Sequence, residues 1–461
     1  MSTTDMAALA RSALRGRWID HWEPEDPGFW EKTGKRVAMR NLWVSVFVEH
    51  IGFSIWTVWS TLVLFMGPAY GIDPAGKFFL VALPSLVGGL VRIPYTMAPA
   101  RFGGRNWTIV SALLLLVPTA LALIVIHPGT SYTTFLVVAA LGGLGGGNFA
   151  SSMVNINAFF PEGQKGWVLG LNAGGGNIGV PVMQLLGLLV IATVGAAYPR
   201  LVLAIYVPLI LVAAAWAALS MDNISSLGND SGALREAVRE RQTWVVAFLY
   251  IGSFGSFIGY SFAFGLVLQT QFGRTPLQTA SVVFLGPLIG SVMRPIGGWL
   301  ADRFSGAKVS LGTFLGMALA TGVVIAASEQ KSLTLFVVGF MSLFVLSGMG
   351  NGSTYKMIPS IFNLKARLAI ASGEHRQAAL MRARRLSGAV IGIAGSIGAI
   401  GGLLINLAFR QSFLTTKSGV PACWSFLVFY AACVLVTYVI YLRRAPATVA
   451  AEQPSLAYAE V

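Results

Sequence analysis

The stretch GGLVRIPYTMAPARFGG (88–104) decides the fold, because it occurs twice. Its counterpart is GSVMRPIGGWLADRFSG (290–306). Gly88, Arg92, Arg101, Phe102 and Gly104 return there as Gly290, Arg294, Arg303, Phe304 and Gly306, all shifted by one interval. Each copy closes an apolar run long enough to cross a bilayer, which takes about 20 residues. A glycine-rich pair repeats as well, GGLGGGNFASSM (142–153) and SGMGNGSTYKM (347–357). The chain therefore reads as two related halves built from membrane helices.

Composition agrees. The 461 residues are 55% apolar and 11% charged, with a mean hydropathy of +0.70. Soluble domains carry about 25% charged residues. A surface so poor in charge excludes an ordinary soluble enzyme, a disordered chain and a disulfide-rich secreted domain. The 53 glycines suit helices that approach closely in lipid. A membrane barrel would show weak alternating segments instead.

Twelve apolar runs are long enough to span. They cover roughly 43–66, 78–99, 107–127, 132–160, 166–193 and 200–219, then 243–272, 278–303, 308–327, 332–361, 385–408 and 421–442. The expected organisation is a tail (1–40), a six-helix bundle (41–220), a central loop (221–242), a second bundle (243–444) and a tail (445–461). Alternate breaks collect the cations: Arg101 and Arg105, Lys165, Arg235 to Arg241, Arg303 and Lys308, and Lys365 to Arg385. Arg443 and Arg444 open the last tail. The positive-inside rule then places both termini in the cytoplasm of a multi-pass cell-membrane protein. The net charge of +14 is a topological signal, so nucleic acid is not a partner. Cys423 and Cys433 lie about 15 Å apart along one helix and cannot bridge. No metal-ligand cluster and no nucleotide-binding loop occur, so no cofactor is expected and ATP is not the driver.

Arg92 and Arg294 are the most informative residues. Each sits just past the centre of an apolar run, where a cation is costly and usually functional. Their matched positions aim both at the axis between the halves. Glu49 is the one carboxylate at membrane depth and cannot neutralise both. The excess positive charge suits an anion. A planar oxyanion suits the bidentate guanidinium fork. Asn148, Ser152 and Asn155 share a helix face, as do Tyr260 and Phe264. Amides donate to an oxyanion and rings stack on one, although such rings serve equally as packing. Gly166, Gly170, Gly174 and Asn177 form a stripe, matched by Gly388, Gly392, Gly395, Ala399 and Gly402. Smooth faces of this kind let helices slide, or simply lie close. Two readings stand for Glu49 and His50: a proton site, or an ion pair near a helix end. Lys356 reads as a cation that snorkels to the surface.

Together these motifs resemble the nitrate/nitrite porter family of the major facilitator superfamily. The resemblance rests on GGGNFASSMVNINAFFP (145–161), GLNAGGGNIGVPVMQ (170–184), GMGNGSTYKMIPSIF (348–362), ALPSLVGGLVRIPYTMAPARFGGRNWT (82–108) and FGSFIGYSFAF (254–264). It spans nearly the whole chain. It implies an all-α membrane protein of twelve transmembrane helices in two pseudo-symmetric six-helix halves, with the substrate between them. It implies substrate binding by Arg92, Arg294, Asn177, Phe149, Tyr260 and Phe264, with Asn172 a looser match. The glycine stripes themselves mark Gly170, Gly174, Gly392 and Gly395 as the expected gating glycines. The acid at Asp302 has no counterpart in the first half. Glu49, His50 and Lys356 are unlike the exchanger branch of the family.

The expected function is secondary transport of nitrate and nitrite by alternating access, in a monomer embedded in lipid. Bringing a monoanion inward costs about 2.3 kcal/mol per 100 mV of inside-negative potential. Uptake must therefore be coupled: one route is symport with at least two protons, the other one-for-one exchange of nitrate for nitrite. The rival readings are another small monoanion as substrate, or an anion sensor on the same fold.

Overall fold

The computed structural model describes residues 17–225 and 231–443. The expected tail 445–461, Arg444 and residues 1–16 of the first tail lie outside the described residues. Twelve helices are long and apolar enough to cross a membrane. They are α1 (Pro27–Phe65), α2 (Pro74–Phe102), α3 (Gly104–Val125), α4 (Tyr132–Phe159), α5 (Gly163–Val194) and α6 (Arg200–Ser220). The second half holds α7 (Arg241–Phe272), α8 (Pro276–Phe304), α9 (Gly306–Glu329), α10 (Leu333–Ala371), α11 (Arg376–Thr416) and α12 (Val420–Leu442).

Several helices outrun their apolar segments. Helix α1 starts at Pro27, α10 reaches Ala371 and α11 starts at Arg376. Hydropathy stops at the first charges, but the hydrogen-bond ladder of a helix continues into water. The added turns all lie at the end that carries both described termini, called here the terminal end.

Local sequence explains the repeated ends. Helices α2 and α8 both open with proline behind a capping side chain. Asp73 accepts from the Gly76 amide at 2.7 Å, and Thr275 forms a reciprocal box with Gln278. Both helices stop at a residue with positive φ, Gly103 at 88° and Ser305 at 86°. The repeat thus extends to backbone geometry, and Ser305 holds a conformation that glycine adopts without strain.

At the terminal end, strand β1 (Trp18–Ile19) pairs in parallel with β2 (Asn223–Ile224). Arg40 pairs with Asp222, and Asn223 caps the start of α3 by accepting from the Arg105 amide. These contacts tie the start of the central connection to the first half. A helix at Ser231–Arg239 completes the connection. Glu236 binds Arg382 at 2.8 Å and Glu240 pairs with Lys365, so that end rides on the second half.

The halves meet firmly at the opposite end. Phe78 of α2 stacks on Phe409 and Phe413 of α11, with centroids 5.5 and 5.1 Å away. The Arg410 guanidinium lies over Phe79, and Gln269 donates to the Leu64 carbonyl. Toward the terminal end the faces separate. No atom of another element lies within 4 Å of where a side chain would begin at Gly170, Gly174 or Gly388. Phe78→Ala should loosen the seal, since truncating a buried Phe costs about 3–5 kcal/mol. The expected result is greater thiol labelling of a cysteine placed beside Phe409. Unchanged labelling would show that the stack is not the seal.

Candidate anion site

Arg92 enters from α2 and is 1% exposed. Its Nε donates to the Gly146 carbonyl of α4 at 3.0 Å, and its Nη1 to the Gly395 carbonyl of α11 at 2.8 Å. The guanidinium therefore joins the two halves. Three rings surround it: Phe149 at 4.7 Å, Phe254 at 5.1 Å and Trp56 at 5.2 Å. A side chain at Gly146 would start 2.9 Å from Gly88 and from the Trp56 ring, so glycine there lets α4 lie close to α2 and α1.

Arg294 enters from α8 in the second half and is 6% exposed. Its guanidinium lies 5.9 Å from the same Phe149 ring and 5.6 Å from Tyr355. The Tyr250 hydroxyl bonds to it and also donates to Asn351 at 2.7 Å. One N–H nitrogen on each arginine, Arg92 Nη2 and Arg294 Nη1, is buried without a partner. A buried cationic donor left unsatisfied is costly and marks a place for an acceptor. A cavity of about 30 Å³ opens beside Arg92, lined by Thr96, Phe149, Met153, Gly392 and Gly395.

Glu49 belongs to the same charge cluster. It is fully buried on α1, within electrostatic reach of both guanidiniums. Asn172 donates to its Oε2 at 2.8 Å, and Ser152 also bonds to it. Asn172 is thus turned to the carboxylate. Asn177 is buried with both amide atoms unpartnered, on the α5 face that carries Gly170 and Gly174. His50 bonds the Gly175 backbone and stands apart from the cluster.

Two expected residues lie elsewhere. The Tyr260 hydroxyl bonds that of Tyr430, and its ring sits edge-on to Phe340 and Phe426. Phe264 stacks on Phe340, with centroids 4.7 Å apart. Both build the aromatic interior of the second half. The arginines are instead met by Tyr250 and Phe254, ten residues earlier and about 15 Å along α7. Depth along the helix was the signal. Arg92 and Arg294 each lie ten residues from the terminal-end finish of their helices, Phe102 and Phe304. Helix α7 starts at that end with Arg241, so Tyr250 matches the depth and Tyr260 overshoots it. A π-helical turn over Ile251–Gly255 carries Phe254 beside Arg92. Trp56 and Tyr355 also escaped sequence reasoning, because aromatic residues recur throughout these helices.

The α4 amides separate too. Asn148 packs on Gly52 of α1 and Asn155 on Gly104 of α3, so of that face only Ser152 reaches the cluster. Lys356 does not merely snorkel. It pairs with Asp302 at 2.8 Å, and its Nζ comes within 3.8 Å of where a Gly166 side chain would start, in the other half.

Two six-helix halves enclosing a buried cationic site at mid-depth define a membrane transporter rather than an enzyme. A family model described as Major Facilitator Superfamily matches residues 42–406. The solved D-xylose-proton symporter shares the fold, with a TM-score of 0.64, 14% identity, and cover of 87% of this chain and 97% of that one. The chain belongs to the nitrate/nitrite transporter family of that superfamily. It is 38% identical to a protein of Salmonella typhimurium named nitrate/nitrite transporter NarU, over 93% of this chain and 97% of the relative. It is 31% identical to a protein of Thermus thermophilus named probable nitrate/nitrite antiporter NarK2, over 94% and 98%.

Proposed function

We propose that the protein carries nitrate, and nitrite with it, across the cytoplasmic membrane by exposing one site alternately at its two ends. The observation that carries this reading is the pair of buried guanidiniums facing one Phe149 ring, each with a donor unfilled. Arg92, Arg294 and Glu49 sum to one net positive charge, which suits a monoanion. A trigonal oxyanion accepts from both forks in its plane and offers its faces to Phe149 and Phe254. Asn177 supplies a further donor. The names of the relatives favour nitrate and nitrite over other planar anions.

Both termini are cytoplasmic, on the argument of the cation-rich breaks. The open terminal end then makes this an inward-facing state. One chain supplies both arginines, so a monomer suffices. Counterflow tests the function. Proteoliposomes preloaded with nitrate or nitrite should take up labelled nitrate faster than empty ones, and equal rates would overturn the reading.

The aromatic assignment has its own test. Tyr250→Phe removes a hydroxyl bonded to Arg294, a contact to a charged group worth about 1.5–3 kcal/mol. The KM for nitrate should rise on the order of tenfold. Tyr260→Phe touches only the Tyr430 contact and should stay within about twofold. Equal losses would return Tyr260 to the site.

A further inference from the structure

We infer that Glu49 is a built-in counter-anion that takes up one proton each time the substrate anion binds, making the carrier an electroneutral one-to-one symporter of anion and proton. The inference rests on the anion-carrier reading above and says how that site is coupled.

Glu49 lies in α1 with no solvent exposure. Asn172 and Ser152 hold it, and Gly176 of α5 is pressed against it with no room for a side chain. Its Oε1 is buried and has no partner. The groups that face it are Arg92 from α2, Arg294 from α8 and Tyr355 from α10. Tyr250 on α7 faces the same arginines. His50, its neighbour on α1, is bonded to the Gly175 backbone. Three unfilled atoms thus share one cluster: a donor on each arginine and an acceptor on Glu49.

Charge summation gives the coupling. In the empty site the Glu49 carboxylate offsets one of two guanidiniums, leaving one net positive charge. An entering monoanion seeks those same guanidiniums. Two negative charges seeking the same pair of guanidiniums, away from water, repel strongly. A proton from the water at the open end relieves the repulsion by neutralising Glu49. The loaded site then holds two cations, one anion and a neutral acid, again one net positive charge. Loaded and empty carriers present equal charge to the membrane, so the empty carrier can return. An exchanger lacking the carboxylate would return with two uncompensated guanidiniums, which disfavours that step. One acid carries one proton. The second proton expected of His50 has no place in the cluster. Each cycle moves one anion and one proton together, so the membrane potential drops out of the balance.

The test uses the full-length protein in liposomes holding a pH dye, with labelled nitrate outside. Wild type should move one proton per nitrate. An inward proton gradient should drive net uptake into anion-free liposomes, and a potential alone should not. Glu49→Gln should move no proton, and its net uptake should fall about tenfold or more below its own counterflow rate. If that variant does not fold, the wild-type ratio and its indifference to potential decide alone. Wild-type net uptake without proton movement, or a ratio of two, would overturn the role of Glu49 and leave the nitrate reading, which counterflow tests, standing. Absence of any wild-type counterflow would overturn the nitrate reading and this inference with it.

Discussion

Arg92→Lys and Arg294→Lys should each abolish most nitrate transport although each keeps its positive charge. Arg92 already spends Nε and Nη1 on carbonyls of α4 and α11, and presents the remaining Nη2 to the cavity. A planar fork can hold two walls and a ligand at once. A lysine ammonium is a point charge on a flexible stem and cannot reproduce that geometry. Losing one charge-assisted contact costs about 1.5–3 kcal/mol, roughly a tenfold to hundredfold loss of binding. The measurements are counterflow in liposomes and the nitrate-dependent rise in melting temperature. Arg92→Lys should also lower the melting temperature without nitrate, because the Gly395 contact joins the halves. Full transport by Arg92→Lys would remove Arg92 from the site.

The second large effect concerns motion. Gly174→Leu should yield a folded protein that does not transport. In this conformation a side chain at Gly174 meets nothing within 4 Å, so the open state accommodates it. Closing the terminal end must bring this face of α5 toward α8 and α10, where Lys356 already reaches across toward Gly166. A leucine in that closed interface is overpacked by about 1–3 kcal/mol, which lowers the closed population about fivefold to hundredfold. Gly401→Leu is the contrast. A side chain at Gly401 would start 2.8 Å from the Gly255 Cα, so that variant should fail to fold. Spin labels on the terminal ends of α5 and α10 should report one long distance in Gly174→Leu and two in wild type. Normal transport by Gly174→Leu would make the stripe ordinary surface.

Much of the site was legible in the sequence because intramembrane charge is so rare. Arg92, Arg294 and Glu49 stand out in apolar runs, and the repeat assigned the two arginines to equivalent places. Aromatic rings carry no such signal. Tyr250, Phe254, Phe257, Tyr260 and Phe264 crowd one helix, and each is as ready to pack as to bind. Only the depth of α7 against α2 and α8 separates Tyr250 from Tyr260, and a π turn adjusts even that. The amides are similar. Asn148, Ser152 and Asn155 share a face, yet they turn to Gly52, Glu49 and Gly104 respectively.

By itself the sequence determined the twelve helices, their pairing into two halves and the positive charge between them. Those properties follow from summed hydropathy and from the cost of charge in lipid, which are local and additive. The tertiary structure alone decided that Glu49 sits with both arginines while His50 does not. It also decided that the halves seal at Phe78 and part at Gly174. These depend on how helices distant in the chain rotate and slide against one another until their side chains fit, and no single segment encodes that fit.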